Sequence, residues 1–178
     1  MPLVRRDPIP AAKAVGAASE DPRDLAAALG REKNLRSREA ILARFLAIAN
    51  DAAAAALAGH LRSEDAGLRN ACIETLQAMP GPALSVLPDL LADPDADVRL
   101  LATEIARTQP TGTANDLLAR FLEGETHPNV CGAAVEVLAE VGSPEAVPAL
   151  TAAKARFADE AFLSMAIDTV LARIGSGR

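Results

Sequence analysis

Apolar residues recur along this chain at intervals of three and four, and short clusters of Pro, Gly, Asn and Asp separate the runs. Over 35–49, Ile41, Leu42, Phe45, Leu46 and Ile48 share one side of a 3.6-residue helix. Upstream, Asp21-Pro22 gives a cap followed by proline at the first helical position, and Leu25, Ala28 and Leu29 supply an apolar side to a helix over 22–33. Asn50-Asp51 caps a helix that runs to about 62. The same cycle predicts helices over 65–79, 82–92, 95–108, 113–123, 128–141, 144–157 and 159–174, about ten in all. Breakers at Met79-Pro80-Gly81-Pro82, Asp93-Pro94, Gln109-Pro110-Thr111-Gly112, His127-Pro128 and Gly142-Ser143-Pro144 mark the turns, with Ser143 as N-cap and Pro144 at the first helical position. Turns this short make consecutive helices antiparallel.

Four segments superpose at a spacing of 30 to 32 residues: Leu68 to Cys72, Val98 to Ala102, Val130 to Ala134 and Phe162 to Ala166. A period of this length stacks like units so that each buries its apolar face on the next, and the product is extended surface. The register sorts the helices into an outer A row (35–49, 65–79, 95–108, 128–141, 159–174) and an inner B row (22–33, 51–62, 82–92, 113–123, 144–157). Four complete units then stand between two half-units. The expected fold is all-α, a right-handed α-solenoid of antiparallel helix pairs over 21–174. Residues 1–20 are expected to form an extended or disordered segment, whose Leu3, Val4, Ile9 and Val15 are available to cover the front of the array, and 175–178 a C-terminal tail.

Composition changes the picture in three ways. Half of the residues are hydrophobic (50%) and the only aromatics are four Phe, which suits one core of close-packed helices and leaves few strand-forming runs. The net charge of −6 is unevenly spread: residues 1–38 hold eight Lys/Arg against five Asp/Glu, so the rest of the chain is strongly acidic. An acidic array repels phosphate backbones, which disfavours nucleic acid as a partner. No apolar run reaches the ~18 to 20 residues that span a bilayer, and the N-terminus lacks the apolar core of a secretory signal. With Cys72 and Cys131 far apart and no C-x-x-C, the expectation is a cytoplasmic protein with no membrane segment, disulfide or zinc site.

Tetratricopeptide and ankyrin units are disfavoured by the absence of Trp, Tyr and a Thr-Pro-Leu-His-like turn. The run from Pro128 to Leu150, Pro-Asn-Val-Cys-Gly-Ala-Ala-Val-Glu-Val-Leu-Ala-Glu-Val-Gly-Ser-Pro-Glu-Ala-Val-Pro-Ala-Leu, resembles the short HEAT repeat of the phycobilisome-lyase-like type, and Asp93 to Ala102 resembles the start of such a unit. The likeness covers about 22–174 and rests on packing and turn residues. It implies that Arg69 and Arg99, with Asp95 and Asp97 nearby, form a structural acid-base ladder between units. Cys131 and then Leu163 replace that Arg, so the ladder should stop there and leave a less polar edge. It also implies that the B helices line a concave side.

Candidate chemistry is sparse. His60 and His127 are isolated, and the register makes His60 partly buried. Cys72 falls in the inward column with Ala102, Ala134 and Ala166, as a small core residue. Cys131, near a helix start, is either a structural cysteine or a thiol whose pKa the helix dipole lowers, suited to linking a chromophore. Asp93, Asp95 and Asp97 lack the spacing of a calcium loop and read as helix N-terminal acids. No catalytic, cofactor or metal site is expected. A protein-binding face is expected on the concave B row at Arg62, Asp89, Arg120, Glu123 and Arg156, to receive a helix or extended peptide of another protein; the plain alternative is a solvated face. The cluster Arg31, Lys33, Arg36 and Arg38 offers an acidic partner a second place to dock. The function expected is a non-enzymatic adaptor, regulatory in a bacterial signalling pathway. The alternative is an accessory factor resembling the phycobilin lyases; a resemblance to HEAT-like DNA glycosylases is disfavoured by the acidic array.

Overall fold

The computed structural model describes residues 20–176; the expectations for residues 1–19 and for 177–178 lie outside the described residues. Five helices begin on a side chain that accepts from an otherwise orphan backbone N–H. Asp21 caps α1 (Pro22–Arg31), Asn34 caps α2 (Leu35–Ile48), Asn50 caps α3 (Asp51–Ala58), Asp65 caps α4 (Ala66–Gln77) and Asp95 caps α6 (Ala96–Ala106). The others are α5 (Pro80–Leu91), α7 (Thr111–Gly124), α8 (Pro128–Val141), α9 (Val147–Arg156) and α10 (Ala161–Gly175). Among the described residues there is no strand, and the fold is an all-α solenoid.

Two predicted helices change type part of the way along. The end of 51–62 tightens into a 3-10 turn at Gly59–Arg62, and 144–157 opens with one at Pro144–Ala146. The second has a direct cause: Pro148 has no N–H to donate to the carbonyl four residues earlier, so the first turn closes with shorter-range bonds instead. Ser143 does not act as the expected cap. Its hydroxyl donates to the Glu145 carboxylate, while its N–H is held by the buried Asn115 of α7 at 2.9 Å.

The helices form two rows. In the A row, α2, α4, α6, α8 and α10 pack in sequence; in the B row α1 packs on α3, α3 on α5, and α7 on α9. Contact between α5 and α7 is slight, so the B row, expected as the concave side throughout, is parted at its middle. One continuous core runs between the rows from Leu25 to Ile174, with Phe45, Leu57, Leu76, Leu87, Ile105, Leu118, Leu138 and Leu150 fully buried. The terminal helices are not partnerless: α1 packs on α2 and α3, and α10 on α8 and α9.

Register in the last helix differs from the expected superposition. The superposition sets Phe162 on Leu68, Val98 and Val130 and puts Ala166 in the inward column, but the buried residues of α10 are Leu163, Ile167, Val170 and Ile174, and Phe162 is 77% exposed. The turn that spans 157–160 is one residue longer than the period assumed. A single added residue turns a helix by about 100°, which brings Leu163 inward and sends Phe162 and Met165 out.

The ladder arginines act mainly on backbone. Arg38 Nε donates to the Glu32 carbonyl at 2.8 Å, Arg69 Nη1 to that of Ser63 at 2.6 Å, and Arg99 Nη1 to that of Asp93 at 2.8 Å, each six residues upstream. Every one of these carbonyls lies just past the end of a B helix, where no intrahelical donor remains. The acids also differ from those expected. Arg38 pairs with Asp65 at 2.6 Å and Arg99 holds Glu125 at 2.8 and 3.1 Å, whereas Asp95 is committed to capping α6. Arg38 is therefore a rung, not part of an open basic cluster. At Cys131 the rung is not lost. Arg156 of α9 donates to the Glu125 carbonyl, six residues before Cys131, and to those of Leu122 and Glu123, at 2.7 to 2.9 Å.

Glu125 is the most deeply buried acid of this system, with a side chain 2% exposed beside an Arg99 side chain 16% exposed. Burial alone would raise its pKa, but the Arg99 hydrogen bonds and the backbone N–H groups of His127 and Thr126 hold it below the ordinary carboxyl value. Replacing Arg99 by Met is expected to cost about 3–5 kcal/mol of unfolding free energy, because a buried carboxylate is left without its partner. Adding Glu125→Gln, which keeps an acceptor for the two N–H groups, should recover a large part of that loss; urea unfolding of the three proteins tests this, and strictly additive losses would contradict it. A depressed folded pKa contributes stability above the unfolded carboxyl's range and loses it as pH falls through the folded value. The wild-type advantage over the double variant should accordingly shrink as the pH falls below the ordinary carboxyl range and vanish once it is below the depressed folded value.

Candidate protein-binding surfaces

The five residues expected on the B row do not form one patch. Arg62 leans across the inter-unit edge and forms an ion pair with Asp93, whose carboxylate is nearly buried and also accepts the Asp95 N–H at 2.9 Å. Arg156 clamps the end of α7 and lies over the Phe157 ring, 5.9 Å from its centre. Both guanidiniums thus have structural work within the chain. Asp89, on α5, is exposed but stands on the far side of the parting between α5 and α7. Arg120 and Glu123 come together. They line a cleft of about 320 Å³ between α7 and α9 with Asp116, Glu145, Ala119, Pro148 and Ala149. Arg120 Nε donates to the Asp116 carbonyl at 3.1 Å, which fixes the side chain along α7 and leaves its other N–H groups toward solvent.

A larger recess lies on the A row. The outer sides of α6, α8 and α10 enclose a groove of about 730 Å³, floored by Gly132, Ala133 and Ala139 and walled by Leu100, Phe162 and Met165. Glu104, Glu136 and Glu160 stand at its rim. Arg107 pairs with Glu104 at 3.2 Å, reaches Glu136 at 3.8 Å and pairs with Glu140. These A-row residues do not stand out in the sequence because the superposed period aligns Phe162 with Leu68, Val98 and Val130; the spacing Leu163, Ile167, Val170, Ile174 carries the correct register within α10 itself.

The titratable candidates are structural. Cys72 and Cys131 are both fully buried, and loss of solvation pushes their thiols up to about 12 and about 11. For Cys131 this outweighs the nearby Arg156 charge, and of the two readings given for it the burial at the start of α8 fits the structural cysteine and not a dipole-lowered, reactive thiol. His60 is half-buried as expected, with Nε2 3.0 Å from the Ala26 carbonyl and its ring against Gly30. Among the described residues, no group of three or more His, Cys, Asp or Glu is placed to hold a metal ion, and no helix is long and apolar enough to cross a membrane.

Comparison with known proteins bears on the fold. The family model for HEAT repeats matches residues 89–168, from the end of α5 into α10. It matches HEAT repeats as such and does not single out the phycobilisome-lyase-like type. No curated protein and no solved structure matches the chain significantly. The rungs at Arg38 and Arg69 carry the same construction upstream of the matched region.

Two measurements separate structural from available residues. Arg156→Ala should lower stability by about 1–3 kcal/mol, since three carbonyls lose their donor, whereas Arg120→Ala should stay within about 0.5 kcal/mol as an exposed substitution. Equal effects in thermal or urea melts would refute that division. Modification of Cys72 and Cys131 by an aromatic disulfide reagent should track global unfolding, because both thiols are protonated and inaccessible in the native state. Rapid labelling of Cys131 in the folded protein would show that α8 starts in a different environment.

Proposed function

The chain is a HEAT-repeat protein, and from that premise we propose that it is a non-enzymatic adaptor that binds a helix or extended peptide of another protein on its B row. HEAT repeats commonly serve as protein-interaction scaffolds, and a stacked array offers surface. The observation that carries the reading is the α7–α9 cleft, where Arg120 stands among Asp116, Glu123 and Glu145 over a floor of Ala119, Pro148 and Ala149. Small residues let a partner backbone approach, and an exposed guanidinium among carboxylates selects a segment with charges of both signs. Asp89 extends this surface on the other side of the parting at α5. Arg62 and Arg156 support the face from within by holding Asp93 and the end of α7. The absence of Trp and Tyr makes the affinity moderate. Two unpaired thiols suit a reducing cytoplasm, and Ala/Arg-rich usage suits a bacterial source.

Affinity capture from native cells with the wild-type chain and with Arg120→Glu, Glu123→Arg tests the assignment. Partners retained by the wild type should fall about 10-fold or more with the variant, at unchanged melting temperature. Recovery of the same partners in equal amount would show that the B row is not where they bind.

A further inference from the structure

Two exposed apolar patches lie at opposite ends of the A row, and their charges are opposite. At the C-terminal end, the groove between α8 and α10 presents Phe162 and Met165, 77% and 62% exposed. Around it stand Glu104, Glu136, Glu140 and Glu160 with Arg107 as the local cation, and Glu160 has no ion-pair partner among the described residues. At the N-terminal end, α2 turns Leu35 and Leu46 outward, 71% and 42% exposed, with half-buried Leu42 between them. These three positions lie within about 40° of one another around the helix, so they form one stripe along α2. Arg31, Lys33 and Arg36 stand exposed at its start, with Glu39 beside the stripe. Lys33 is 3.8 Å from Asp65 but its side chain is 78% exposed.

The two patches do not meet within one molecule. Between α2 and α10 the A row holds α4, α6 and α8, and at 8–10 Å per helix step the separation is roughly 32–40 Å. A second copy removes that obstacle. We propose that this protein self-associates head to tail, the leucine stripe of α2 in one copy seating in the α8–α10 groove of the next, with Lys33 and Arg36 facing the groove's glutamates. The floor of Gly132, Ala133 and Ala139 admits a helix backbone closely, and the groove spans about three turns of α8, the length of the stripe. Because the surfaces are different, the contact is heterologous: each copy keeps one free head and one free tail, and the assembly grows into a chain or closes into a ring. One helix in one groove falls at the small end of protein interfaces, below about 1,200 Å² in total, so association is weak, concentration-dependent and sensitive to salt. It leaves the α7–α9 cleft uncovered and does not depend on the adaptor reading.

Sedimentation velocity on the full chain tests this. At low salt the mass average should rise above the monomer between about 5 and about 500 µM, and raising the salt to about 0.5 M should weaken association by roughly 5-fold or more. Head variant Leu35→Glu, Leu46→Glu and tail variant Phe162→Glu, Met165→Glu change exposed residues and should each remain monomeric. Mixed, they should form a one-to-one dimer and nothing larger, since the head variant keeps its groove and the tail variant its stripe. Should the apolar variants fold poorly, Arg36→Glu and Glu160→Lys provide a second test: each alone should weaken association, and mixing them should restore it, since one junction of the mixture is wild-type and the other joins the two reversed, still opposite charges. A wild type that stays monomeric to about 500 µM, a head or tail variant that associates like the wild type, or a mixture that stays monomeric would each overturn the proposal.

Discussion

The interaction on which the array depends is an arginine reaching back to the carbonyl at the end of the preceding B helix. A helix C-terminus leaves its last carbonyls without donors, and in a stack with short turns those ends sit partly buried between units. Arg38, Arg69 and Arg99 each answer this at the same distance along the chain, and two of them grip a carboxylate of the next turn with their remaining donors. One side chain thereby closes a helix, fixes the A helix against it and ties the next unit on. The requirement outlives the residue that usually meets it. Where Cys131 takes the rung position, Arg156 supplies the donor from the following B helix, and Cys131 is free to be a buried apolar contact. Arg173 does the equivalent for α8, donating to the Leu138 and Gly142 carbonyls, and Gly142 leaves room for it since a Cβ there would collide with Leu138.

This constraint also decides which charges remain for recognition. Arginines at the inter-unit edge are engaged, and so is Asp93 through Arg62. The charges left outward are on the helix faces: a basic group around the start of α2, a mixed group at the α7–α9 cleft and an acidic rim at α8 and α10. The polarity seen in the sequence as a basic front and an acidic remainder is thus carried to opposite ends of a rigid row.

Helices, caps and the core were legible because each is set by local chemistry. Asp21, Asn34 and Asn50 precede their helices as caps should, and Leu25 with Leu29, and Ile41 with Phe45, recur at helical spacing and are buried. Roles that depend on reach were not legible. Arg156 lies more than thirty residues from the carbonyls it serves, and nothing in the spacing distinguishes it from an outward arginine such as Arg120. Arg38 looked like one member of a surface cluster for the same reason. The parting between α5 and α7 was hidden too, since it arises from how the units stack and not from any one helix.

The register of α10 is the most consequential departure. A fixed period predicts that every A helix buries the same column, and through α8 the column holds: Leu68, Val98 and Val130 are all buried. Among the described residues α10 packs on α8 and α9, and its outer side matches no further unit. One extra residue in the preceding turn then suffices to rotate the helix, and the interior still closes because Leu163, Ile167, Val170 and Ile174 supply an equivalent apolar side. The rotation turns Phe162 and Met165 outward beside the small residues of α8, where the matching positions of earlier A helices hold Gly67, Asp97 and Asn129 in place of Phe162, and so builds an apolar wall for the groove. The strict repeat builds the stack, and the single slip at its end makes one face of it different from the rest.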